Sequence, residues 1–342
     1  MYDQELAATA KAMVAPGKGI LAADESYNTA NKRFQKLGIP PTEDMRRAYR
    51  EMLFTTPGIA DFFSGVILFD ETIRQSAQDG TPLIKILVDA GIIPGIKLDA
   101  GAKPLAKSPG ETITEGLDGL RDRIAEYYKM GARFAKWRAV ITIGDGLPSD
   151  RCIQTNAHAL ARYAALCQEG GLTPIVEPEV LMDGDHTLER SYAVHQAVLN
   201  SVFDQLYLQG VALDQIVLKP SMVIPGQECP QPASIEEVAR WTVKCLREHV
   251  PAAVPGCAFL SGGQSDELAT AHLNAMNALF AGQLPWRLTF SYGRALQQAA
   301  MQTWKGQDAN VTAAQKELYR RAKLNSAATL GQYQPDMEQV AA

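Results

Sequence analysis

Eight short runs rich in Val, Ile, Leu and Phe recur along the chain, each ended by a polar or Gly/Pro cluster. They cover residues 20–23, 66–69, 93–98, 134–141, 173–176, 215–218, 258–260 and 288–290. Stretches with helical periodicity, 117–130 and 155–168 among them, lie between most of these runs. Each run plus its helix takes roughly 30–45 residues, the length a strand–helix–strand crossover needs. Eight alternating units predict an α/β fold with a single closed (β/α)8 TIM barrel. A doubly wound open sheet is the structural alternative. A chain of 342 residues accommodates one such barrel with insertions, so residues 1–342 read as one domain. Residues 1–15 read as a short amphipathic helix, and a mobile tail is expected from about 332.

Composition removes other classes. Hydrophobic residues make up 46% and charged residues 21%, enough apolar material for a large core. The formal charge of −5 gives no global attraction for nucleic acid or an anionic membrane. No apolar run approaches the roughly 18 residues of a membrane span. The start Met1-Tyr2-Asp3-Gln4-Glu5 resembles neither a secretory nor a transit segment, so the expected location is cytoplasmic. Cys152, Cys167, Cys229, Cys245 and Cys257 form no C-x-x-C pair and read as reduced thiols. His158, His186, His195, His249 and His272 lack metal-ligand spacing, and Asp183-Gly184-Asp185-His186 matches no metal loop. No metal and no cofactor are expected.

Charged residues at the carboxyl ends of barrel strands read as catalytic. Asp24 follows the first run and Lys97 lies in the third. Lys136 and Arg138 lie in the fourth, Glu177 and Glu179 follow the fifth, Lys219 ends the sixth and Arg294 follows the eighth. Side chains alternate along a strand, so Lys136 and Arg138 share a face, as do Glu177 and Glu179. A solvated strand end or a rim ion pair accounts for any one of these residues, but accounts poorly for the whole set. Charges facing a core are costly unless paired or functional. A lysine leaving an apolar strand beside a second ammonium suits a free amine that attacks a ketone and forms an iminium. Lys219 with Lys136 fits, Glu177 is a candidate acid for losing water, and Asp24 is a candidate base for a hydroxyl proton. The Ser261-Gly262-Gly263-Gln264-Ser265 turn offers hydroxyls and open backbone N–H groups, a phosphate cradle in the position where barrels of this kind hold phosphate.

These segments resemble class I fructose-bisphosphate aldolase. The matches are Gly19-Ile20-Leu21-Ala22-Ala23-Asp24-Glu25-Ser26, Gly95-Ile96-Lys97-Leu98-Asp99, Phe134-Ala135-Lys136-Trp137-Arg138, Ile175-Val176-Glu177-Pro178-Glu179, Leu218-Lys219-Pro220-Ser221, Leu260-Ser261-Gly262-Gly263-Gln264-Ser265 and Phe290-Ser291-Tyr292-Gly293-Arg294, in family order. The resemblance implies reversible cleavage of fructose 1,6-bisphosphate to dihydroxyacetone phosphate and glyceraldehyde 3-phosphate, in glycolysis, gluconeogenesis or the Calvin cycle. It implies a homotetramer whose partner is a small sugar bisphosphate. It places the Schiff base on Lys219 and acid/base work on Glu177 and Asp24, with Lys136 and Glu179 beside them. Ser261, Gly262, Gly263, Ser291, Gly293, Arg294 and Arg33 resemble the C1-phosphate site; Ser26, Lys97 and Arg138 resemble the C6-phosphate site. Three features depart from the family: the Ser26-Tyr27-Asn28-Thr29-Ala30 loop, Ala100 where many relatives carry Lys, and a last tyrosine at Tyr333 in place of a terminal one. A broadened enzyme that also uses sedoheptulose 1,7-bisphosphate, a transaldolase-like Schiff-base lyase and a catalytically silent scaffold are the alternatives.

Overall fold

Strand pairing in the computed structural model, which describes residues 2–339, closes into a ring. In chain order the strands are β1 (Gly19–Ala23), β2 (Phe63–Leu68), β3 (Ile93–Lys97), β4 (Ala102–Pro104), β5 (Thr112–Thr114), β6 (Phe134–Ile141), β7 (Thr173–Val180), β8 (Val217–Leu218), β9 (Gly256–Phe259) and β10 (Arg287–Tyr292). All but β4 and β5 form the closed barrel, in the order β1-β10-β9-β8-β7-β6-β3-β2, and neighbouring barrel strands run parallel. The expected (β/α)8 barrel is the fold, and the open sheet is excluded.

The run boundaries shift for local reasons. β7 continues to Val180, so Glu177 and Glu179 stand on the strand instead of after it. β8 is only two residues long, because Leu213–Gln215 form a 3-10 turn first. The helix expected over 117–130 begins at Leu120, since Gly119 sits at φ 65, a left-handed conformation that ends the incoming loop. β4 and β5, an antiparallel hairpin, were not expected from the sequence. It is tied to the barrel by the Thr112 and Thr114 hydroxyls, which donate to the carbonyls of Val140 (3.0 Å) and Arg138 (2.6 Å).

Alternation divides each strand between two environments. Leu21, Ala23, Val66, Leu68, Ile96, Trp137, Val176 and Phe259 belong to the large core shared with the surrounding helices. Ile20, Ala22, Ile67, Phe134, Ile175, Val217 and Ala258 belong to a separate cluster inside the barrel, with Ala10 and Met13 of the N-terminal helix (Asp3–Met13) and Val14, which ends it. That helix caps the barrel floor: Ser64 Oγ donates to the Met13 carbonyl (2.6 Å) and Thr173 Oγ1 to the Leu6 carbonyl (3.1 Å). Phe134 is the largest side chain of this floor. A Cβ on Gly95 would stand 2.2 Å from its ring, so only glycine leaves it room.

Residues 332–339, within the tail expected to be mobile from about 332, make defined contacts with the helices. Tyr333 is buried and its N–H donates to Asn274 Oδ1 (2.9 Å). Glu338 pairs with Arg320 (2.9 Å) and with the buried Arg321 (2.5 Å). The last three residues lie outside the described residues.

Candidate active site

Moving two residues along a strand keeps the face and climbs about 6.6 Å. One or two such steps above the apolar floor, the inward positions become charged. On β1, Ile20 and Ala22 are followed by Asp24; on β6, Phe134 by Lys136 and Arg138; on β7, Ile175 by Glu177 and Glu179; on β8, Val217 by Lys219. These side chains line a cavity of about 410 Å³ at the carboxyl ends of the strands, inside the usual range of about 300–1,000 Å³ for small-molecule sites.

Every proposed site residue lines this one cavity: Asp24, Lys136, Glu177, Glu179 and Lys219 at its base, with Ser26, Arg33, Lys97, Arg138, Ser261, Gly262, Gly263, Ser291, Gly293 and Arg294 around them. Thr29, left open by the sequence, lines it too, 3.4 Å from Ser26 through their hydroxyls. Ser265 does not. Its hydroxyl accepts from the Leu268 N–H and caps the helix Asp266–Leu279.

Lys219 is 4% exposed and its N–H extends the ladder by donating to the Val176 carbonyl (2.8 Å). Its Nζ is 3.2 Å from Glu177 Oε1. Lys136 Nζ stands 2.6 Å from Asp24, 3.6 Å from Glu177 and 3.9 Å from Asp99. Burial opposes its charge, but these three carboxylates outweigh burial and hold its pKa well above the ordinary lysine value. This revises the electrostatic expectation: an ammonium surrounded by three carboxylates acts mainly on them. Burial likewise pushes the Asp24 carboxyl up, yet Lys136, Lys219 and Lys97 hold it well below the usual carboxylate range. Asp24 is therefore ionised, as a proton acceptor must be.

The rim cations each have a carboxylate partner. Arg33 is 2.6 Å from Glu25, Lys97 is 3.0 Å from Asp99, Arg138 pairs with Glu179, and Arg294 is 3.7 Å from Asp266. Burial lowers the favourability of the Arg138 charge, but Glu179 overcompensates and raises its pKa. Along the cavity wall six cations (Arg33, Lys97, Lys136, Arg138, Lys219, Arg294) face five carboxylates (Asp24, Glu25, Asp99, Glu177, Glu179). Arg33 and Arg294 also line one neighbouring groove, while Lys97 and Arg138 both lie against Asp99; two such groups of cations suit a ligand with an anionic group at each end. Among the described residues, Ser291 Oγ and Glu177 Oε2 are buried here without hydrogen-bond partners.

Sequence reasoning missed Glu25 and Asp99 as site residues. Glu25 receives Arg33, Arg50 (2.6 Å) and Gln297 (2.9 Å). Burial raises its carboxyl, and Arg50 with Arg33 brings it below the ordinary value. Its position directly after Asp24 was the available signal, but its partners are distant in sequence. Asp99 was visible as the inward position two residues after Lys97. Outside the cavity, among the described residues, no three His, Cys, Asp or Glu side chains are grouped to hold a metal.

Comparison with known proteins agrees with this geometry. The family model for class-I fructose-bisphosphate aldolase matches residues 5–342. The chain is 61% identical over 334 residues to a probable fructose-bisphosphate aldolase class 1 of Xanthomonas campestris, covering 97% of this chain and 99% of that one. It is 54% identical to the cytosolic fructose-bisphosphate aldolase 5 of Arabidopsis thaliana, with 97% and 92% covered. A solved fructose-bisphosphate aldolase of Plasmodium falciparum, in complex with TRAP and a small-molecule inhibitor, superposes with a TM-score of 0.95. It is 49% identical, with 97% and 95% covered.

Proposed function

The chain belongs to the class-I fructose-bisphosphate aldolase family, and from that premise we infer how its residues divide the work. The enzyme reversibly cleaves fructose 1,6-bisphosphate to dihydroxyacetone phosphate and glyceraldehyde 3-phosphate. The observation that carries the residue roles is the buried Lys219 amine, 3.2 Å from Glu177 and beside an Asp24 held ionised.

The Lys219 ammonium passes a proton to Glu177 across their 3.2 Å contact, and the free Nζ attacks the C2 carbonyl carbon to give a carbinolamine. Glu177 donates a proton to the departing hydroxyl, water leaves and an iminium remains. Asp24 takes the C4 hydroxyl proton. The C3–C4 bond breaks, its electrons neutralise the iminium as an enamine, and glyceraldehyde 3-phosphate departs. Protonation at C3 and hydrolysis then release dihydroxyacetone phosphate and restore the amine. Lys136 keeps Asp24 charged, and Glu179 holds Arg138. Ser261, Gly262, Gly263, Ser291, Gly293, Arg294 and Arg33 receive the C1 phosphate; Ser26, Lys97 and Arg138 receive the C6 phosphate. No helix among the described residues is long and apolar enough to cross a membrane. Work in the cytoplasm, as the name of the Arabidopsis relative states for that protein, and assembly as a homotetramer belong to the same proposal.

The test is reductive trapping. The protein is incubated with dihydroxyacetone phosphate and borohydride, with and without EDTA, and the modified peptide is identified by mass spectrometry. The adduct is expected on Lys219, to be unchanged by EDTA, and to be absent in Lys219→Ala together with cleavage activity. Trapping at another lysine, or loss of activity on chelation with recovery on adding zinc, rejects the mechanism.

A further inference from the structure

The phosphate cradle has a rigidity problem. Gly262 and Gly263 both sit at positive φ, 56° and 91°, and glycine has the largest backbone freedom of any residue. A turn built from two of them does not hold its N–H groups still on its own. The Ser261–Gly262 peptide is planar and trans, so its carbonyl and its N–H point in opposite directions. Whatever fixes the Ser261 carbonyl on the protein side aims the Gly262 N–H at the cavity.

That carbonyl is held twice by Gln264, through its backbone N–H (3.1 Å) and its side-chain Nε2 (3.0 Å). A carbonyl only accepts, so the Gln264 atom facing it is the amide nitrogen. The other end of the amide, Oε1, lies 2.6 Å from Nδ1 of His272. An amide oxygen only accepts, so His272 Nδ1 carries the proton and donates. Both side chains are 3% exposed, and burial pushes the His272 pKa down to about 4, which keeps the ring neutral and this tautomer in place. The Gln264 backbone carbonyl in turn accepts from Arg294. One residue thus holds the glycine turn with its side chain and the rim arginine with its main chain.

We propose that Gln264, oriented by His272, is a positioning residue that pre-sets the cradle and Arg294 for the phosphate of dihydroxyacetone phosphate. The proposal rests on the reading that this side of the cavity takes the C1 phosphate. It acts on one end of the substrate only, which separates it from a general structural role.

The condensation direction tests it, because the two phosphates then arrive on separate molecules. KM for dihydroxyacetone phosphate, KM for glyceraldehyde 3-phosphate, kcat and the thermal midpoint are measured for native enzyme, Gln264→Leu, His272→Leu and His272→Asn. Losing one buried hydrogen bond and leaving its partner unpaired predicts a rise of about 10-fold in KM for dihydroxyacetone phosphate in the two leucine variants. KM for the aldehyde is expected to stay within about two-fold. Asn places an amide donor near the Nδ1 position, so His272→Asn is expected to behave close to native. An unchanged KM for dihydroxyacetone phosphate in His272→Leu overturns the proposal. So does an equal rise for both substrates, or a fall in kcat and thermal midpoint alone. Absence of condensation by the native protein overturns the functional reading instead.

Discussion

Lys136→Met removes a buried ammonium while keeping much of its volume. In the native site Lys136 stands 2.6 Å from Asp24. At an effective dielectric of about 20 that attraction is roughly 6 kcal/mol, a ceiling of four to five pH units at about 1.4 kcal/mol each. Lys219 and Lys97 also face Asp24 and remain in the variant, and the site relaxes. About 2 to 3 pH units of upward movement is the working expectation. Burial is then less opposed, so the Asp24 carboxyl moves from well below the usual range up to the ordinary carboxylate range, about 4. The direction follows from the charge: without Lys136 the proton is held more tightly, and the acceptor form is lost at a higher pH than in the native enzyme. The assay is kcat/KM for cleavage between pH 3 and 9, taken as the ratio of variant to native so that the substrate's own phosphate ionisation cancels. The ratio is expected to be flat at high pH and to fall about tenfold per pH unit below the new pKa. A ratio independent of pH refutes the assignment and leaves Lys136 as a strand-to-strand ion pair. The variant also leaves Asp24, Glu177 and Asp99 under-compensated, so a stability loss of about 3–5 kcal/mol is expected, and rates are taken well below its melting point.

Arg294→Ala is expected to raise KM for fructose 1,6-bisphosphate more than it lowers kcat; a lost charge-assisted contact of about 1.5–3 kcal/mol lowers kcat/KM about 10- to 150-fold, and an unchanged KM rejects the phosphate role. Glu338→Gln leaves the 2%-exposed Arg321 without its carboxylate, so chemical denaturation is expected to show a loss of about 3 kcal/mol, whereas a free tail predicts none. Burial holds both His195 and His272 at about 4, against about 6.5 unfolded. Their stabilising contribution is complete above pH 6.5 and lost as pH falls through 4, by up to about 3 kcal/mol each. The urea midpoint is expected to drop across that window, and the drop is expected to shrink in His195→Gln/His272→Asn; an identical slope in that variant refutes the attribution.

The barrel was legible because each strand carries its own signal. Runs of branched apolar residues mark both buried faces, and a charge at the end of the run marks the mouth, as with Ala23 followed by Asp24 or Leu218 followed by Lys219. What escaped depends on partners far apart in the chain. Glu25 is explained by Arg50 and by Gln297, 272 residues away. Gln264 reads as one more polar residue in a loop until His272 is folded beside it. The tail reads as polar and loose, yet Glu338 neutralises a buried arginine whose position only the helix packing reveals. The hairpin over 102–114 is held by side-chain bonds to the carbonyls of β6, which leave no periodic mark in the sequence.

The helix that caps the barrel floor makes the reaction chamber a vessel with one opening. Ala10, Met13 and Val14 close it below the strands, under an apolar layer that includes Ile20, Ile67, Phe134, Ile175 and Val217. Everything the chemistry consumes or sheds therefore shares one route: sugar phosphate, departing aldehyde, the water lost and regained at Lys219, and the proton Asp24 takes. Traffic in such a vessel is sequential. The fragment nearer the mouth must clear before the one bound to Lys219 can be hydrolysed and follow, and a product lingering at the rim obstructs substrate and solvent alike.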